Sequence, residues 1–103
     1  MSETKSYALT MNIKGEFLRA IVKGDKTVEY RAMKPYWEAR LKDCKAPFLL
    51  RLINGMRPQA PEVIIEVVKV RKDKKPSQGY PDGVYCLHLG EIKSKKNLSN
   101  LAK

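Results

Sequence analysis

The sequence predicts an α+β fold: a small, mainly antiparallel β-barrel carrying one or two short helices. Three observations predict it. Five stretches are rich in strand formers, whereas only two short stretches carry helical spacing. Their order is strand, helix, strand, helical turn and then three strands, which leaves few βαβ repeats. Neither a glycine-rich phosphate loop nor an internal repeat interrupts that order.

The first strand is read from Tyr7, Leu9, Met11 and Ile13, which alternate with Ala8, Thr10 and Asn12 in the pattern of a half-buried strand. Gly15 allows a turn, and Glu16 to Lys23 then place Phe17, Leu18, Ile21 and Val22 at helical spacing. Gly24 closes that run, as a glycine in left-handed conformation commonly does. Thr27, Val28 and Tyr30 start the next strand, expected to end near Met33. A period of two puts Thr27, Glu29 and Arg31 on one face, with Lys26 in the preceding turn. A cation, a carboxylate and a guanidinium therefore converge at a helix–strand junction. Such a cluster is either a solvated edge, worth ~0–1 kcal/mol per pair, or a working site.

Lys34 to Lys42 predict a short helix or helical turn, with Pro35 in its first turn and Tyr36, Trp37, Arg40 and Leu41 close together on one face. The aromatics can cap the barrel, or they can stack on an unpaired base, Trp37 above all. Pro47 to Asn54 is apolar apart from Arg51 and reads as a central strand buried on both sides. Gly55 to Pro61 is a loop, and Glu62 to Arg71 is expected to be the longest strand. It closes on Lys69, Arg71, Lys72, Lys74 and Lys75, which form either a phosphate-binding rim or a solvated charged loop. Ser77 to Gly83 is a second loop, with Asp82-Gly83 favouring a tight turn. Val84 to Leu89 closes the sheet, and Gly90 is expected to end it. His88, the single histidine, reads as a structural side chain.

The chain divides into one domain over residues 1–92 and a basic, flexible tail over residues 93–103. With 43% hydrophobic and 31% charged residues it is globular rather than disordered. No apolar run approaches ~18 residues, so no membrane span is expected. Met1 to Ser6 lack the apolar core of a secretory signal, so a cytoplasmic location is expected. Cys44 and Cys86 are far apart and lack clustered partners; no metal or other cofactor is expected. Lys and Arg total 21 against 11 acidic residues, net +10. Without the four lysines from Lys93 onward, 17 basic side chains still face the same 11 acids, net +6. The excess belongs to the domain as well as the tail, and a polyanion such as RNA is the partner it predicts.

The pattern Gly-x-Lys-x-x-Glu-x-Arg, carried by Gly24, Lys26, Glu29 and Arg31, resembles the signature of the ASCH family in the PUA-like superfamily. Tyr36-Trp37, Asn54-Gly55 and the strand from Val84 to Gly90 also fit that layout, so the resemblance spans about residues 7 to 92. It implies a PUA-like barrel with a cationic cleft beside the signature. It further implies an RNA- or nucleotide-binding module of RNA metabolism, with Lys26 and Arg31 meeting phosphate or base edges and Glu29 orienting them. A monomer is favoured. The alternative it implies is a small hydrolase, either an N4-acylcytidine amidohydrolase or a ribonuclease, with Lys26 and Glu29 as catalytic residues. The amidohydrolase branch, however, carries threonine where this chain has Glu29. It also takes a glutamate from a helical insert that has no counterpart in Lys72 to Asp82, and Thr27 lies at the wrong strand parity to substitute.

Overall fold

The computed structural model describes residues 7–76 and 79–101. The signal-free reading of residues 1–6, the middle of the second loop at residues 77–78 and the tail end at residues 102–103 lie outside that range.

Alternation produces strand β1 (Leu9–Asn12), which turns Leu9 and Met11 inward and leaves Thr10 and Asn12 exposed. Helix α1 (Gly15–Lys23) buries Leu18 and Ile21, while Phe17 stays largely outside. Gly24 stops it at φ 88°, a left-handed backbone from which its N–H returns to the Ile21 carbonyl at 3.1 Å. Strand β2 (Val28–Ala32) starts four residues later. Pro35 occupies the first turn of helix α2 (Pro35–Leu41), whose inward anchor is Leu41. Strands β3 (Phe48–Ile53), β4 (Glu62–Asp73) and β5 (Val84–Lys96) follow, then a single 3-10 turn at Leu98–Asn100. No helix among the described residues is long and apolar enough to cross a membrane.

The five strands form one sheet in the order β1-β3-β4-β5-β2. Only β1 and β3 run parallel; the other pairs are antiparallel. The sheet curls into a half-barrel, so the α+β, mainly antiparallel expectation holds while full closure does not. Its concave face carries Met11, Leu50, Leu52, Val63, Val67 and Leu87, all almost fully buried, with α1 and α2 packed on it. Each such side chain contributes about 1.5–3 kcal/mol through removal from water. The edge strands β1 and β2 meet through a side chain: Arg31 Nη2 donates to the Asn12 carbonyl at 2.7 Å.

Three expectations are corrected here. Strand β3 is not buried on both sides, since Leu49 and Arg51 on its second face are half-buried while Leu50 and Leu52 are fully enclosed. The longest strand is β5 rather than β4, because Gly90 does not end it. A β-carbon on Gly90 would lie 2.8 Å from Val68 Cγ1, so the glycine makes room where β4 bulges past β5 and lets the strand continue. The expected flexible tail is therefore ordered through Lys96 by pairing with Glu62–Ile64. Beyond it, Asn97 and Asn100 donate side-chain amides to the Ala60 and Gln59 carbonyls, and Leu98 and Leu101 pack against the core.

Candidate functional site: an arginine and tryptophan cleft

The β2 parity delivers Glu29 and Arg31 to the inner face beside the seam between the two edge strands. Glu29 is the one buried charged side chain among the described residues, 3% exposed. Two cations flank it. Arg31 Nη1 reaches Glu29 Oε2 at 2.5 Å, and Lys26 Nζ lies 3.3 Å from Glu29 Oε1. Lys26 Nζ also donates to the Val28 carbonyl at 2.7 Å and sits 5.3 Å and 5.2 Å from the centres of the Phe17 and Tyr30 rings. The predicted convergence of Lys26, Glu29 and Arg31 is thus present in the geometry. It is tighter than a solvated edge, because a carboxylate this buried needs its partners.

That tightness changes what the three can offer. Arg31 spends Nη1 on Glu29 and, at 3.3 Å, on the Tyr30 carbonyl, and Nη2 on Asn12. Its Nε is buried with no partner among the described residues. The Arg31 guanidinium carbon lies 5.4 Å from the centre of the Trp37 ring. Most of the donors of Lys26 and Arg31, expected to meet a ligand, are engaged within the protein.

Arg31 and Trp37 line a cavity of about 680 Å³ together with Tyr36, Arg51 and Arg57. Helix α2 supplies the two aromatics, whose rings meet edge-on at 4.8 Å, and Arg40 lies over Tyr36 at 3.6 Å. Trp37 also packs against the core while it lines the cleft. Strand β3 supplies Arg51 from its outer face. Glu62, beside it on β4, accepts from Arg51 Nε at 3.1 Å and Nη2 at 2.7 Å, and this bond raises the Arg51 pKa. The loop after β3 supplies Arg57, which is exposed.

A second cavity, of about 480 Å³, adjoins the first; Asn12, Arg31 and Gly55 line both. They form the wall between the open cleft and the Glu29 carboxylate behind it. The wall is bonded together: Gly55 N donates to Asn12 Oδ1 at 3.0 Å, and Asn54 Nδ2 donates to the Ile13 carbonyl at 2.8 Å. Lys26 borders neither cavity. Comparisons with protein-family models, with curated proteins and with solved structures return no match.

The basic rim does not form one surface with this cleft. Strand β4 carries Val63, Ile65 and Val67 inward, then a bulge between Val67 and Lys69 shifts the parity, so that Val70 and Lys72 turn inward instead. Lys69 and Arg71 consequently point to the outer face, paired with His88 and Cys86. Lys72 and Lys74 line a separate cavity on the far flank of α2, and the backbone N–H of Lys75 donates to Asp73 Oδ1 at 3.1 Å. Sequence reasoning missed Arg51 and Arg57 as cleft residues. Arg51 carried a signal, being the single charge in an otherwise apolar strand.

Lys26 Nζ is aimed at a backbone carbonyl and a carboxylate, and among the described residues no helix lies between β4 and β5.

Proposed function

We propose that the chain is an RNA- or nucleotide-binding module of the ASCH type, with a PUA-like half-barrel, acting on RNA in the cytoplasm as a monomer. The Gly24, Lys26, Glu29 and Arg31 signature supports the family, and the net +10 charge supports a polyanionic partner. The observation that carries the reading is the convergence of Trp37, Arg31, Arg51 and Arg57 on one cleft. Its volume of about 680 Å³ falls within the range of roughly 300–1,000 Å³ that small ligands and cofactors occupy. A base stacks on Trp37 at the end of the barrel, and Arg57 meets the attached phosphate or sugar. Arg31 and Arg51 are held by carboxylates and act as fixed planes and charges rather than as mobile donors. Lys26 and Glu29 serve by holding Arg31.

Equilibrium binding of nucleosides, nucleoside monophosphates and short single-stranded RNAs tests this. Binding that weakens in both Trp37→Ala and Arg57→Ala supports the cleft. Acetate release from N4-acetylcytidine that is lost in Lys26→Ala would replace the binding reading with the hydrolase.

A further inference from the structure

Helix α2 is a partition. Tyr36 and Trp37 face the cleft on one flank, while Glu38 and Leu41 face a different cavity on the other. This second-flank cavity measures about 520 Å³. Its walls carry three amines, Lys42 from the end of α2 and Lys72 and Lys74 from the end of β4, against the single carboxylate of Glu38. Tyr85 lines it from β5, with its ring buried. Burial, and then the nearby Glu38 charge, raise the pKa of that phenol, so it stays a neutral O–H donor at physiological pH. None of the three lysines takes part in an ion pair among the described residues.

The register ties this cavity to the cleft. Lys72 lies opposite Tyr85, and Tyr85 lies opposite Arg31, so the two cations share one face of the sheet two strand steps apart. Two steps are about 10 Å. A strand that engages both flanks runs past α2.

We infer that the cavity of Lys42, Lys72, Lys74 and Tyr85 is a phosphate-binding subsite for the backbone of a single-stranded nucleic acid whose base occupies the Trp37 cleft. The inference rests on the binding reading above and extends it to a strand of more than one nucleotide crossing α2. Lysines outside any ion pair among the described residues suit phosphates as point charges, whereas the braced arginines beside Trp37 suit a flat base. The aromatic cleft on the adjoining flank favours nucleic acid over an acidic peptide, which has no base to stack.

The experiment titrates the full chain with uridine monophosphate and with oligouridylates of increasing length, across a salt series. Three proteins are compared: the parent, a triple variant Lys42→Gln, Lys72→Gln, Lys74→Gln, and Trp37→Ala. Unfolding midpoints verify that each variant is folded. The parent should gain affinity and salt dependence once the oligonucleotide exceeds one nucleotide. The triple variant should lose about 2 from the slope of log affinity against log salt, at roughly 0.7 per phosphate contact. Between 50 and 200 mM salt that is roughly a twentyfold smaller change in oligonucleotide affinity. Trp37→Ala should weaken the monophosphate and the oligonucleotides alike, with the slope kept. An unchanged slope in a folded triple variant overturns the subsite. If uridine monophosphate fails to bind while the triple variant still flattens the slope, the subsite stands and the base cleft falls. Displacement of the oligonucleotide by polyglutamate at equal charge concentration would overturn the nucleic-acid assignment.

Discussion

On one flank of α2, Arg31 and Arg51 are each braced by a carboxylate; on the other, Lys42, Lys72 and Lys74 form no ion pair among the described residues. The braced pair has traded most of its net field for geometry. Glu29 and Glu62 cancel charge but fix two guanidiniums relative to Trp37. The lysines of the other flank have no ion-pair partner among the described residues, which suits a partner whose phosphates need not sit in one place. Cations of one sign thus serve two different tasks within a single small domain. A count of net charge does not separate those tasks.

The largest effect that can break this contrast lies at Glu29. Its carboxylate is the internal partner of both Lys26 and Arg31, and its loss leaves two partly buried cations uncompensated. Glu29→Ala should cost about 3–5 kcal/mol of stability by urea unfolding. Glu38→Ala, on an exposed helix face across α2, should stay within about 0.5 kcal/mol. Equal costs would mean that the arginine flank is no more braced than the lysine flank.

Next in size is binding at the aromatic. Trp37→Ala should cost about 1–3 kcal/mol in nucleotide affinity, measured by calorimetry, with the salt slope unchanged. A loss that shrinks as salt rises would assign Trp37 to positioning the cations instead of stacking. Smaller still is the effect of one free lysine. Lys72→Gln should lower the salt slope for oligonucleotides by about 0.7 and leave stability within about 0.5 kcal/mol.

The smallest expected effect concerns Tyr85. Its phenol is raised above the ordinary value of 10.0 by burial first and by Glu38 second. The folded chain therefore keeps this proton at a pH where the unfolded chain releases it. That contribution is intact below about pH 10 and is lost as pH rises above it. Tyr85→Phe should flatten part of the alkaline fall in stability, followed by chemical denaturation from pH 8 upward. An unchanged alkaline limb would mean that the buried phenol is not part of it.

Much of the braced flank was legible in the sequence because short-range rules decide it. The spacing from Glu29 to Arg31 fixes a common strand face, and Gly24 before Lys26 fixes the turn that brings the amine back. The free flank was not legible in the same way. Alternation counted without a break would assign Lys69 and Arg71 to the inner face with Val67, yet the bulge at Val68 hands that face to Lys72. Nothing local to Lys69–Lys75 announces the bulge; its enabling residue is Gly90, on the opposite strand. The tail was misread for a related reason. Its lysines suggest solvent, but Glu62–Ile64 need a ladder partner, and Ser94–Lys96 supply it. Arg57 and Lys42 join their cavities only through the fold, from a loop and a helix end.

The measurement that bears most directly on the proposed cleft is the intrinsic fluorescence of Trp37, the chain's single tryptophan. Titration with uridine monophosphate and with a short oligouridylate should give a saturable change for both. The oligonucleotide midpoint should move with salt, and the monophosphate midpoint should move much less. Oligonucleotide binding detected by the anisotropy of a labelled strand, with the Trp37 signal unaltered throughout, would contradict the account, since the partner would then engage the charge of the domain without entering the cleft.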